Sequence, residues 1–181
     1  MERISVIGSS ASGKSTMART LADCLHLPYL ELDAVFHQPG WQPKPDDEFQ
    51  ADVSAFVAAD RWVVDGNYTS HGVSQLVWPR ADTVVWMDPP RRVVMIRVIR
   101  RTLRRIITRE ELWNVNREPW SNLYSTKAEK NIIVWAWTRF EHTRAKYEAM
   151  LTDGTWAHVN VVRLRKKREV RDFGGALRSG A

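Results

Sequence analysis

The chain is expected to fold as an α/β domain: a five-stranded parallel sheet with helices on both faces. Three observations carry this. Five short β-type segments alternate with helical patterns along 181 residues. Two of the interior segments, Trp62-Val63-Val64 and Thr83-Val84-Val85-Trp86-Met87, are almost wholly apolar, as strands covered on both faces must be. Between the first strand and the first helix lies Gly8-Ser9-Ser10-Ala11-Ser12-Gly13-Lys14-Ser15, a full match to G-x-x-x-x-G-K-[ST].

That loop has the context its chemistry requires. Arg3-Ile4-Ser5-Val6-Ile7 before it is short and β-branched, and Met17, Leu21, Cys24 and Leu25 after it recur at helical spacing. The two glycines allow successive N–H groups to turn inward as an anion nest, and the helix behind adds its unpaired amides and positive dipole end. Gly8, Ser9, Ser10, Ala11, Ser12, Gly13, Lys14, Ser15 and Thr16 are therefore expected to hold the polyphosphate of ATP. Lys14 reaches the β- and γ-phosphates and Ser15 ligates Mg²⁺.

The remaining elements follow in order. Leu27 to Leu32 reads as a second strand that delivers Asp33 at its end, with a loop from Ala34 to Pro45. Asp46-Asp47-Glu48 suit the first turn of a helix continued by Phe49, Val53, Phe56 and Val57. The third strand ends at Asp65-Gly66 and the fourth at Asp88-Pro89-Pro90. A helix then runs from Arg91 to about Ile107, followed by a polar irregular stretch from 108 to 127. A second long helix covers 128 to 151, a fifth strand ends at Leu164, and a helix over 169–177 closes the chain. One domain spans 1–181. Ligands in such sheets bind beyond the carboxyl ends of the strands, where Gly8, Asp33, Asp65 and Asp88 all occur.

The charge, +6 overall, is unevenly placed. Eight arginines and no acid lie between 91 and 109, so the remainder is slightly acidic. Arg97, Arg100, Arg101, Arg104 and Arg105 share one face of the helix, and Met95, Ile96, Ile99, Leu103 and Ile106 are assigned to the opposite, buried face. Such a stripe beside a phosphate loop points first to a polyphosphate partner. The alternative is nucleic acid, touched by this stripe and by the basic run Arg163–Arg171; it is not favoured, since no helix-turn-helix or zinc-finger spacing is present. The lone Cys24, the lack of a membrane-length apolar run and the direct start into a strand lead to the expectation of a cytoplasmic protein with no membrane partner. Oligomeric state is left open.

The loop and fold together resemble the P-loop kinases of nucleotides and small metabolites. Leu32-Asp33, Pro39-Gly40-Trp41, the run Trp62 to Tyr68, the run Ala81 to Trp86, Arg101 to Arg105 and Asn116-Arg117-Glu118 look like the adenylate-kinase-related family called DNA topology modulation proteins. The resemblance implies a P-loop phosphotransferase with a lid over about 97–127, in which Arg97, Arg101 and Arg105 neutralise the triphosphate, with Arg109 and Arg117 as further contributors. Asp65 is expected to hold the Mg²⁺ water shell, and Asp33 to orient the hydroxyl of a small acceptor as a general base does. On this reading the catalytic set is Lys14, Asp33, Arg101 and Arg105, with Asp88 left out. Trp41, Trp113 and Trp120 are the aromatic candidates for acceptor contact; Trp62, Trp86, Trp135 and Trp137 are assigned to the core. Adenylate kinases follow Asp-Gly with Phe-Pro-Arg, whose arginine grips the acceptor phosphate. Here Asn67-Tyr68-Thr69 stands in that place.

Overall fold

In the computed structural model, which describes residues 1–128 and 131–179, the β-rich segments form one central sheet. Its strands are β1 (Arg3–Gly8), β2 (Tyr29–Glu31), β5 (Trp62–Asp65), β6 (Thr83–Met87) and β7 (Asn160–Leu164), all parallel, in the order β2-β5-β1-β6-β7. Residues 37–38 and 42–43 add a small antiparallel hairpin, β3–β4. The helices are α1 (Lys14–Leu25), α2 (Leu32–Phe36), α3 (Asp46–Val57), α4 (Val73–Val77), α5 (Arg91–Thr108), α6 (Ser121–Tyr124), α7 (Ile132–Thr152) and α8 (Lys167–Ser179). The helix expected from 128 is described from 132; positions 129 and 130 lie outside the described residues.

Alternate strand residues feed two cores. Trp62, Val64, Val84 and Trp86 point to the layer holding Phe49, Val53, Val57, Tyr147 and Trp156. Val63, Val85, Ile4 and Val6 point to Met17 and Leu21 of α1 and Leu177 of α8. Burial on both faces is why these strands lack polar alternation. A third cluster joins Val94, Met95 and Val98 of α5 to Ala136 and Phe140 of α7.

Several expectations change. Asp33 does not end a strand; β2 stops at Glu31 and Asp33 stands in the first turn of α2. The buried face of α5 is Val94, Met95, Val98, Thr102 and Ile106, while Ile96, Ile99 and Leu103 are exposed. The helix carries two apolar arcs, and contact with α7 selects the one whose residues meet Ala136 and Phe140. Trp135 and Trp137 are exposed rather than core, and the Trp137 ring lies under the Arg91 guanidinium, 3.7 Å from it.

Candidate active site

The carboxyl ends of β1, β5 and β6 open into one cleft of about 2100 Å³, bordered by α1, α2, α5 and the 110–119 segment. β1 runs into the glycine loop. Gly8 (φ +151°) and Gly13 (φ +103°) take backbone angles that favour glycine, and a Cβ on Gly8 would stand 2.5 Å from the Met87 carbonyl oxygen. Gly13 caps α1 with no side-chain hydrogen bond, so the amides of the first turn remain available to a ligand.

The loop is braced from β5. Asn67 Nδ2 donates to the Gly8 carbonyl at 2.8 Å, and its Oδ1 accepts from the Gly8 N–H at 3.1 Å. In the sequence Asn67 stands out as part of the Trp62–Tyr68 run and of the segment replacing Phe-Pro-Arg, not as a brace for the loop. Its amide, matched to both backbone groups of one glycine, is a tertiary pairing that no local pattern signals.

α5 lays arginines along the loop. Arg97 Nη1 donates to the Ser12 carbonyl at 2.9 Å and Arg101 Nη2 to Ser10 Oγ at 2.9 Å. Arg105 follows one turn on, 3.8 Å from Glu118 and 3.9 Å from Glu110. Burial and then the neighbouring Arg105 weaken the hold of Arg101 on its proton, with Glu118 and Asp33 opposing. Glu118 is itself pushed up by burial, against Arg105 and Arg101. Arg97 and Arg101 thus bring their charge to the loop, where an entering polyphosphate meets guanidinium groups hydrogen-bonded to Ser12 and Ser10. Arg100 and Arg104 face outward, Arg104 pairing with Glu110 at 2.7 Å. Arg109 is exposed at the end of α5, and Arg117 is paired with Glu111 at 2.6 Å.

Asp65 closes β5 and is 2% exposed. Its Oδ2 accepts from the Tyr29 hydroxyl at 3.3 Å; its Oδ1 is buried without a hydrogen-bond partner among the described residues. Burial raises its pKa, while the Lys14 ammonium and the Ser15 hydroxyl nearby, the latter short of full hydrogen-bond geometry, act the other way. An orphaned carboxylate oxygen beside a hydroxyl fits a hydrated Mg²⁺, which needs few protein ligands when phosphate and water complete its shell. Among the described residues no group of three or more His, Cys, Asp or Glu side chains stands together as a self-sufficient metal site.

Across the cleft, Asp33 Oδ1 accepts from the Tyr68 hydroxyl at 2.7 Å, leaving Oδ2 without a hydrogen-bond partner among the described residues. His37 Nε2 lies 3.4 Å from the same hydroxyl. The His37 ring is flanked by Trp41, 5.1 Å between centroids, and Trp113, stacked at 6.0 Å. Burial holds this imidazole below the ordinary histidine range, with Asp33 opposing. Trp120 is exposed and does not line the cleft.

The 113–117 segment is clamped to the 34–41 segment. Asn116 Oδ1 accepts from the Trp41 N–H at 2.9 Å and its Nδ2 donates to the Gln38 carbonyl at 2.9 Å. Asn114 Nδ2 donates to the His37 carbonyl at 2.6 Å, and Trp41 Nε1 to the Arg117 carbonyl at 2.9 Å. Asp88 takes a different part: it is buried among Arg163, Arg144 and Arg165 at 2.5, 3.6 and 3.6 Å, tying β6 to β7 and α7.

The five-stranded parallel sheet with a Gly8–Ser15 loop between β1 and α1 is a P-loop type of fold. The chain is similar to a gluconokinase from Sinorhizobium meliloti 1021, with TM-score 0.52 and 18% identity over 99% of this chain and 94% of that one. It is similar to shikimate kinase from Bacteroides thetaiotaomicron, with TM-score 0.56 and 11% identity over 98% of this chain and 97% of that one. It is also similar to shikimate kinase from Acinetobacter baumannii in complex with shikimate, with TM-score 0.54 and 12% identity over 98% and 90%. At these identities the likeness is one of fold. No protein-family model and no curated protein matches the chain. Among the described residues no helix is long and apolar enough to cross a membrane.

Proposed function

We propose that this protein is an Mg²⁺·ATP-dependent kinase that transfers the γ-phosphoryl group to a hydroxyl of a small acceptor in the cytoplasm. One observation carries the reading. The loop amides, Lys14, Arg97 and Arg101 converge on one side of a cleft, and a carboxylate with an unclaimed oxygen, Asp33, stands on the other. The solved structures it resembles in fold include a gluconokinase and shikimate kinases, and its motifs resemble those of the adenylate-kinase-related DNA topology modulation proteins.

Phosphoryl transfer needs positioning and positive charge more than covalent help. Gly8 to Thr16 would cradle the polyphosphate, and Lys14 would neutralise its β- and γ-oxygens. Bound Mg²⁺ would supply further charge, held by Ser15 directly and by Asp65 through water. Arg97 and Arg101 would exchange their loop contacts for phosphate oxygens, with Arg105 one turn behind. Asp33 would accept the acceptor's hydroxyl hydrogen at Oδ2 and take the proton as the new O–P bond forms and the bond from the γ-phosphorus to the β–γ bridging oxygen breaks, releasing ADP. Tyr68, donating to Oδ1, would fix that carboxylate's rotation. The 110–119 segment would act as the lid excluding water.

The alternative is a nucleotide-dependent protein that binds nucleic acid. It draws on Arg139, Lys146, Lys166 and Lys167, which border the cleft with no ion pair among the described residues. Loop-facing arginines serve a polyphosphate better than a duplex, so we favour the kinase. ADP release that rises on adding small hydroxyl compounds supports it, and Lys14→Ala should abolish that release. Turnover indifferent to every acceptor, with nucleic-acid binding that falls steeply in salt, would overturn it.

A further inference from the structure

Resting on that kinase reading, we infer that the acceptor is a cyclic alcohol without an anionic group, a neutral or amine-bearing sugar or nucleoside, seated on the His37–Trp41–Trp113 face with its hydroxyl on Asp33.

The argument is an accounting of charge at the Asp33 end of the cleft. An acceptor bearing carboxylate or phosphate needs a free cation to replace its lost hydration. Each cation bordering this end is already engaged. Arg19 donates to Glu31 at 2.8 Å. Arg105 stands between Glu118 and Glu110. Arg117, next to the clamp, donates to Glu111, and Lys44, next to the hairpin, is paired with Asp52. His71 shares its Nδ1 with Asp46 at 2.8 Å. Arg97 and Arg101 face the loop, where the polyphosphate must go. Burial favours the neutral form of His37. Asp33 is left as the acid that no cation touches within 4 Å among the described residues; its contact is the neutral Tyr68 hydroxyl. An anionic acceptor seated on Asp33 would thus meet a like charge with no uncommitted cation beside it, a juxtaposition that works against binding.

What this end does offer is flat and half-buried. His37 packs edge-on to Trp41 and stacked with Trp113. Such faces suit the C–H surface of a sugar or the plane of a base, and they tolerate an ammonium group. At the position where adenylate kinases carry a phosphate-gripping arginine stands the uncharged Thr69, and the two residues before it are already engaged, Asn67 with Gly8 and Tyr68 with Asp33.

The test uses matched pairs differing by one anionic group: four nucleosides with their 5′-monophosphates, and neutral hexoses with their uronic acids. Each is assayed for ADP release and for thermal shift with a non-hydrolysable ATP analogue. The expected result is engagement by neutral members only, with at least about a hundredfold preference in kcat/KM. Asp33→Asn provides a second readout, because it should narrow the preference in binding by about tenfold even where turnover is lost. An anionic member used as well as its neutral partner would overturn the inference. So would no engagement by either kind while the ATP analogue still stabilises the protein. Failure of the analogue itself to bind would instead sink the kinase reading.

Discussion

Asn67 holds Gly8 by both of its backbone groups, so the start of the phosphate loop is fixed by a side chain 59 residues away. A loop that must present several amides at once gains from being held in that arrangement before the ligand arrives. Asn67→Ala removes two part-buried hydrogen bonds, which costs about 1–3 kcal/mol of stability. Asn67→Asp retains the acceptor but sets a negative charge beside the polyphosphate. Calorimetry with Mg²⁺·ATP should show a larger loss of affinity for Asn67→Asp than for Asn67→Ala, while denaturant midpoints fall in both. Equal affinity losses would mean that Asn67 only supports the fold.

Asp65 links stability to pH in an unusual direction. Its pKa is raised from the ordinary 3.8 by burial, so its ionisation favours the unfolded chain. The stability it contributes is complete below that ordinary value and is lost as pH rises through the folded-state pKa. Asp65→Asn should therefore raise the melting temperature of the ligand-free protein at pH 7.5 by about 2–4 °C, the size expected for about 1 kcal/mol in a domain of this length. Below pH 4 the two proteins should melt together. The same variant should lose Mg²⁺-dependent stabilisation by ATP. A variant less stable at pH 7.5 than the parent would contradict the sign.

Arg101 is a second charged group, half-buried beside the loop. Burial and Arg105 both press against its charged form, and its Nε has no hydrogen-bond partner among the described residues. Arg101→Met should leave the melting temperature of the ligand-free protein unchanged or raise it, while lowering the rate of phosphoryl transfer by about 10³, the scale on which arginines act in such transition states. Single-turnover kinetics separate this from a nucleotide-affinity effect. An equal loss in Kd for ATP and in rate would assign Arg101 to ground-state binding alone.

How much of this was legible follows the range of the interactions. The phosphate loop, the central strands and the Asp46–Val57 helix could be read because their signals lie within a dozen residues. α2 could not. Its five residues become helical through distant packing: Leu32 lies under Gly66, where an added Cβ would come within 2.9 Å, and Phe36 packs on Phe49 and Tyr68. The inner face of α5 was misassigned for the same reason, since fully buried Thr102 is polar and exposed Ile96 is apolar. Arg97 and Arg101 were legible as a one-turn pair, but their contacts with Ser12 and Ser10 are tertiary. Asn116 was noticed only as part of a motif of the resemblance, and nothing local signalled its clamp contacts or those of Asn114.

That clamp also decides whether the two halves of the cleft work independently. Asn116 is 4% exposed and bridges the Trp41 N–H and the Gln38 carbonyl; it also holds a turn in which Asn114 and Val115 both have positive φ. A β-branched residue at φ +57° is strained, and persists when its surroundings over-determine it. Asn116→Ala leaves two backbone groups unpaired, costing about 1–3 kcal/mol within the clamp. Amide exchange should accelerate in 34–43 and 111–117 and stay unchanged in the central strands. Since His37, Trp41 and Trp113 are placed by the same bonds, the KM for the acceptor should rise by about tenfold, the equivalent of 1.4 kcal/mol. The Kd for nucleotide should change by less than about twofold, because the loop is braced separately by Asn67. Exchange that accelerates throughout the sheet, or a nucleotide affinity that falls together with acceptor affinity, would show the clamp and the phosphate loop to be one cooperative unit.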